Sequence, residues 1–302
     1  MVQRVEETAL DYREFKARLE QEKPRVLELV RDGERLIAAP ADDERPTSML
    51  PALADEFPFS ARVWDVWIGN TRKMRGVKRI DLLPYATHPT RMALFCYWIL
   101  EDEGSARDDA AVLALLHDYL EEGGGIRPET IAAMRDVFPE EPRGVLAAIV
   151  LSEPDIAYDR LGSEAQRSFW MRVAYLIQAV DAMAHLRDPT FANAALADKL
   201  DNMHDFGYIE HNPKLSPARR SHKLAQRLAY FAVVGEALRP WASTPMYLML
   251  KAATSARAEA LKVPADLVAV ERATLEAARR DHGERILEMI REYQRVIGLV
   301  WG

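Results

Sequence analysis

Three short segments of this chain bring imidazoles and carboxylates together in patterns suited to hydrolytic chemistry. The first is Tyr85-Ala86-Thr87-His88-Pro89, which feeds His88 into the start of an apolar helix. The second is Leu115-Leu116-His117-Asp118-Tyr119-Leu120-Glu121-Glu122, a His-Asp dipeptide in a stretch otherwise filled with Val, Leu and Ala. The third is Leu196-Ala197-Asp198-Lys199-Leu200-Asp201-Asn202. Ala110, Leu113, Ala114, Leu116 and Leu120 mark a buried helix around the second segment, so His117 and Asp118 are expected in apolar surroundings. A carboxylate buried beside an imidazole costs several kcal/mol unless a cation or hydrogen bonds compensate. A metal ion supplies that compensation, and imidazole with carboxylate oxygen suits divalent Mn, Fe, Co or Zn. Neighbouring helical residues diverge by about 100°, so one ion must lie between the two side chains and take further ligands from other helices. Taken singly, the His-Asp pair is more simply an ordinary satisfied pair on a helix surface, and Asp198 a solvated helix residue.

Taken together, the three segments resemble the HD superfamily of phosphohydrolases, and within it the hydrolase domain of the Rel/SpoT alarmone enzymes and the metazoan SpoT homologue. Those proteins carry Tyr-x-x-His-Pro, then His-Asp-x-x-Glu-Asp, then Ala-Asp-Lys/Arg-Leu-x-Asn. The matches are Tyr85, His88 and Pro89; His117, Asp118 and Glu121; and Ala197, Asp198, Lys199, Leu200 and Asn202, spread over about residues 60–240. The resemblance implies an all-α, HD-domain helical bundle with a metal held by His88, His117, Asp118 and Asp198. It implies one divalent ion, with Mn2+ the family's usual choice and Fe, Co, Zn or Mg as alternatives. Glu121 and Glu122 would be the catalytic carboxylates that orient or activate the attacking water. Glu121 stands four residues after His117, on the same face of a continuing helix. Tyr85 and Asn202 would border the substrate, Asn202 meeting a sugar or phosphate oxygen, and Arg79 or Lys78 would stack on a purine base. The expected reaction is hydrolysis of a nucleotide phosphate ester, with the 3′-pyrophosphate of (p)ppGpp-like alarmones as the leading substrate. Another nucleotide or phosphorylated metabolite is the alternative of the same class, and a non-catalytic nucleotide-sensing HD module the alternative of a different class.

Three departures stand out. Glu121-Glu122 replaces the family's Glu-Asp, and the extra methylene moves the second carboxylate by over ~1 Å. Ile80-Asp81-Leu82-Leu83-Pro84 stands where the family has a glycine-bearing turn, and residues 151–193 resemble no family segment. A chain of 302 residues leaves no room for the separate synthetase domain of the long Rel proteins, so hydrolysis alone is expected.

The elements that must position these groups read as helices throughout. Hydrophobic residues make up 49% of the chain and charged residues 29%, a globular balance with enough chain for a sizeable core. Glycine is scarce, and apolar residues recur at three- and four-residue intervals. Helices are expected near 6–38 (broken or restarted at Pro24), 61–73, 89–102, 107–122, 128–137, 142–152, 163–186, 190–205 and 216–238. Arg143–Leu151 reads equally as a helix opening at a proline or a short buried strand. Two or three more helices follow Pro240. The last, about 281–299, carries Ile286, Ile290, Tyr293 and Ile297 on one face, either packed on the body or forming a homodimer interface. The organisation expected is an N-terminal extension and linker (1–56), the HD domain (57–240) and C-terminal helices (241–302).

The net charge of −7 argues against nucleic acid as a partner and leaves a small nucleotide as the expected one. A single cysteine, Cys96, rules out a disulfide within the chain and a Cys-based zinc site, and reads as a small buried hydrophobe. No signal-peptide stretch and no membrane-length apolar run is found, so a cytoplasmic protein without a membrane partner is expected. Four weaker features remain. Arg219, Arg220 and Lys223 open a helix, against its dipole, and Arg220 is a candidate phosphate contact. His185 is a candidate ligand for a second metal. His204, His211 and His222 read as surface residues, His204 close enough to Asn202 to border a pocket. Gly123-Gly124-Gly125 lacks the strand and Lys-Ser/Thr of a phosphate loop and reads as a helix stop.

Overall fold

Two helices buried on nearly every side organise the fold. In the computed structural model, which describes residues 11–38, 57–79, 82–100, 104–122 and 124–299, the helices are α1 (Tyr12–Ala38), α2 (Ala61–Met74), α3 (Thr87–Ile99), α4 (Ser105–Leu116), α5 (Pro128–Val137) and α6 (Pro142–Val150). They continue as α7 (Arg167–Leu186), α8 (Pro189–His204), α9 (Gly207–Glu210), α10 (Pro217–Leu238), α11 (Thr244–Ala260) and α12 (Ala265–Val296). Among the described residues the sole β pairing is an isolated bridge between Lys78 and Pro84. The chain is therefore an all-α bundle, as its composition implies.

Every residue of α3 is buried, and α8 is buried along almost its whole length. A helix apolar on all sides belongs in the middle of a protein, and α3, α4 and α8 pack on one another there. The polar residues these helices carry inside, His88, Arg91, Asp198, Lys199 and Asp201, must then satisfy each other. Around this centre α2 and α6 cover α4, α7 and α10 lie beside α8, and α11 packs on α8 and α10.

Three expectations need correction. The helix at Pro24 neither breaks nor restarts: α1 runs through it, because Phe15, Leu19, Val26, Leu29 and Val30 form one buried stripe across the proline. The expected start at residues 6–10 and positions 39–56 of the irregular loop expected over residues 39–60 lie outside the described residues. Helix α4 ends at Leu116, so His117 and Asp118 occupy the turn that follows rather than a helix interior. The carboxyl-terminal stripe belongs to a helix that begins at Ala265, well before residue 281. Its buried Ile286 and Ile290 face α7 and α10, so packing on the body accounts for that face. Residues 142–150 are helical, which resolves the strand alternative. Cys96 is buried, and no helix among the described residues is long and apolar enough to cross a membrane.

Candidate metal centre and its cavity

His88 and His117 reach the same point from different elements. His88 stands in the first turn of α3, whose start is fixed by Thr87 donating to the Pro84 carbonyl at 2.7 Å and Thr90 donating to the Ala86 carbonyl at 2.6 Å. His117 caps α4, and Ser152 on the far side donates to its carbonyl at 3.1 Å. Each ring is oriented through Nδ1. That of His88 lies 2.6 Å from Asp201 Oδ2, and that of His117 lies 2.9 Å from the Ala114 carbonyl. Both Nδ1 atoms therefore carry the proton in the neutral rings, and both Nε2 lone pairs turn inward.

Inward lie two carboxylates. His88 Nε2 is 3.3 Å from Asp198 Oδ1 and 3.6 Å from Asp118 Oδ2; His117 Nε2 is 3.0 Å from Asp118 Oδ1 and 3.8 Å from Asp198 Oδ1. The ligand atoms of His88, His117 and Asp118 all lie within 4.8 Å of one another. His117 Nε2 is buried and, despite its approach to Asp118, has a geometry that makes no hydrogen bond. Imidazoles oriented by carboxylate and carbonyl acceptors, with free Nε2 atoms facing carboxylates, are the arrangement metal-binding histidines adopt. These residues fit a divalent cation. Asp198 is shared: Lys199 Nζ pairs with its Oδ2, and the Asn202 amide donates to its Oδ1.

The charges around the cluster leave one carboxylate short of a cation. Asp201 is held by Arg91 Nε and Nη2 at 2.6 and 2.8 Å, and Asp205 by Arg91 and Arg79 at 2.9 and 2.8 Å. Lys199 serves Asp198, its ammonium 3.9 Å from the Tyr175 ring centroid. Among the described residues Asp118 has only the Tyr85 hydroxyl and the two imidazoles. Burial alone would raise its pKa, yet the neighbouring His117 and His88 hold it at about 2. Burial would lower His117, and Asp118 and Asp198 push it up to about 9. Burial followed by the Asp118 charge raises the Tyr85 phenol far above its ordinary value, so it remains a donor.

Tyr85, His88, Asp118, Asp198 and Lys199 line a cavity of about 320 Å3, the size range of small-molecule sites. Glu121 and Glu122 stand on its rim with solvent access. Glu121 is nevertheless raised to about 8, through loss of water against the crowded wall and then through the charges of Asp118 and Glu153. Glu122 N–H bonds the Asp118 carbonyl at 3.0 Å, so one helix-like turn carries both carboxylates past the His-Asp pair. The glycines close this turn: Gly124 and Gly125 have φ of 114° and 90°, and Gly125 N–H bonds the Leu120 carbonyl at 2.9 Å. Gly123, like Ile80 and Asp81, lies outside the described residues.

Of the other expected site residues, Lys78, Arg79, Tyr85 and Asn202 line the cavity. Lys78 is exposed at its mouth. Arg79, expected to stack on a base, is tied to Asp205 and accepts no free role there; its Nη2 also donates to Asn202 Oδ1 at 3.3 Å. Arg220 does not line the cavity, because its guanidinium bonds the carbonyls of Asn212 and Leu215, both at 3.3 Å. His185 is exposed, with Nδ1 on the Asp181 carbonyl at 2.7 Å, and takes no part in the cluster. His204 is no surface residue: it is partly covered by Tyr12, whose ring centroid stacks at 6.3 Å.

Sequence reasoning did not single out Asp201, Arg91, Glu153, Arg172, Tyr175, Arg227 or Tyr230, and named Lys199 only as a motif match. Spacing could have found two of them. Arg91 follows His88 by three positions and Asp201 follows Asp198 by three, so each shares a face with a ligand. No family model, no curated protein and no solved structure matches this chain.

Proposed function

We propose that the chain is a metal-dependent phosphohydrolase of the HD type, cleaving a phosphate ester of a nucleotide or similar phosphorylated metabolite. The observation that carries this reading is the pair of imidazoles whose Nδ1 atoms are bonded outward, leaving both Nε2 atoms on Asp118 and Asp198. His88, His117, Asp118 and Asp198 would hold one divalent ion, Mn2+ as first choice. A bound divalent cation supplies Lewis-acid polarisation of a phosphoryl oxygen and lowers the pKa of a coordinated water. Glu121 and Glu122, on the rim beside the cluster, would be the carboxylates that orient or deprotonate the attacking water. Tyr85 fixes the Asp118 carboxylate, and Lys78 offers a mobile cation at the mouth. Two acids on the rim favour an enzyme over a sensing module.

A (p)ppGpp-like alarmone is the leading substrate by resemblance. The engagement of Arg79 by Asp205 and Asn202 favours the other reading of the same class, a different nucleotide or phosphorylated metabolite, since the residue expected to meet the purine is already spent. Metal analysis and phosphate release over a panel of nucleotides, for wild type and Asp118→Asn, test the proposal. A chain that binds no divalent metal, or a variant as active as wild type, sinks it. Turnover of other nucleotides without turnover of alarmones selects the second substrate reading.

A further inference from the structure

The cavity has a cationic wall that the hydrolase reading leaves unused. Arg172 from α7 and Arg227 from α10 both line it, near the rings of Tyr175 and Tyr230. The two arginines are partly buried, and neither makes an ion pair among the described residues. Arg172 Nε donates only to the Ser168 carbonyl of its own helix, at 3.1 Å. Elsewhere in the site the pattern is the opposite: Arg79 and Arg91 each hold carboxylates within 3 Å. The nearby acids Glu153 and Glu271 attract Arg172 from a distance, but neither makes an ion pair with either guanidinium among the described residues: Glu271 lies 3.3 Å from His222, and Glu153 lines the same cavity. The charges oppose each other: burial and then Arg227 lower the pKa of Arg172. Two guanidiniums that line one cleft, repel each other and lack an ion-paired carboxylate form a wall that an entering anion would stabilise. Arginine's planar donor fork suits phosphate oxygens in particular.

We propose that Arg172 and Arg227 form a phosphate-binding subsite on the α7–α10 wall of the cavity. Resting on the hydrolase reading, this defines the substrate class as a small molecule carrying two separate phosphate groups. One lies at the His88–His117–Asp118 cluster to be cleaved, and the other is held by the arginine pair. The two arginines set specificity and binding and take no part in bond breaking.

The test is calorimetric titration of inorganic pyrophosphate into metal-free protein, using wild type, Arg172→Gln, Arg227→Gln, Arg227→Lys and Lys78→Gln. Wild type is expected to bind, more weakly as salt rises, and each Gln variant to lose about tenfold or more in affinity. Arg227→Lys keeps the charge without the fork and is expected to fall between. Melting temperatures of the Gln variants should equal or exceed wild type, since like-charge repulsion is relieved; a merely structural arginine would lower them. Absence of pyrophosphate binding by wild type overturns the proposal. So does retention of full affinity in both Gln variants, with or without a loss in Lys78→Gln. Should a Gln variant fail to fold, Arg227→Lys decides: affinity equal to wild type in that variant overturns the fork. Steady-state kinetics separate the two readings. If nothing is turned over and pyrophosphate still needs both arginines, the subsite stands and the hydrolase reading falls. If a bisphosphorylated substrate is turned over with unchanged KM in both Gln variants, the hydrolase reading stands and the subsite falls.

Discussion

His88 Nδ1 lies 2.6 Å from Asp201 Oδ2, and that one bond decides which nitrogen of the ring faces the carboxylate cluster. Asp201 is wholly buried and is fixed in turn by the Arg91 guanidinium. Its pKa is held well below the ordinary value, burial being outweighed by Arg91 and by the bond to His88. An acceptor behind a metal-binding histidine typically contributes 10–100-fold to affinity. Asp201→Asn should therefore weaken Mn2+ binding by about 10- to 100-fold, as read by calorimetry. It also takes a carboxylate away from the buried Arg91 guanidinium, so unfolding free energy should fall by about 3 kcal/mol in urea titrations. A folded variant with wild-type metal affinity would show that His88 is oriented without Asp201.

The same relationship shows where the sequence is readable and where it is not. His117 and Asp118 are adjacent, and their apolar surroundings announce a buried polar pair. His88 and Asp198 gain meaning only from the order of the three motifs, because each alone is an ordinary helix residue. The Arg91–Asp201 pair spans 110 positions and exists only once α3 and α8 pack. The limit of α4 was also hidden: Tyr119 and Leu120 are buried and prolong the apolar pattern into a turn, so periodicity runs on after the helix has stopped. Pro24 misled in the opposite sense, since side-chain burial outweighed the lost backbone bond. Arg172 and Arg227 carry no local signal, being scattered cations on amphipathic helices until α7 and α10 face one cavity.

Gly144 sits where α6 packs tightly against the end of α4. A Cβ there would lie 2.4 Å from Leu116 Cδ1, and Leu116 immediately precedes His117. Leu116 is fully buried, so its side chain has little room to yield. Gly144→Val should cost about 1–3 kcal/mol by overpacking and weaken metal binding through displacement of His117. The double variant Gly144→Val with Leu116→Ala should recover part of both losses, although Leu116→Ala alone destabilises. Additive effects in calorimetry and urea unfolding would argue that the two positions do not press on each other.

His204 makes a pH-dependent contribution at the α1–α8 contact. Burial lowers its pKa to about 4, against the smaller opposing pull of Asp201, and its Nε2 has no hydrogen-bond partner. The unfolded chain binds a proton near pH 6.5 and the folded chain does not, so stability falls as pH drops from about 6.5 toward 4. Between pH 7 and pH 5 this one group should remove about 2 kcal/mol. Urea midpoints at the two pH values, compared between wild type and His204→Leu, isolate it. Equal pH sensitivity in the two proteins would remove His204 as the cause.

Lys199 is a buried ammonium whose charge is answered by Asp198 and by the faces of Tyr175 and Tyr230. Desolvation would lower its pKa, yet Asp198 and the two tyrosines hold it well above the ordinary value. Lys199→Met removes the only fixed cation on Asp198 among the described residues and leaves that carboxylate with the Asn202 amide and the imidazoles. Without metal, the variant should lose about 3–5 kcal/mol of stability, the usual result of stranding one partner of a buried pair. A divalent ion at the cluster would then answer Asp198 in place of the ammonium. Since a ligand stabilises by its mass-action term alone, saturating Mn2+ should raise the melting temperature of Lys199→Met by more than it raises that of wild type. If Mn2+ shifts both proteins equally, the ion does not reach Asp198 and the ligand set contracts to His88, His117 and Asp118; if it shifts neither, the cluster holds no Mn2+.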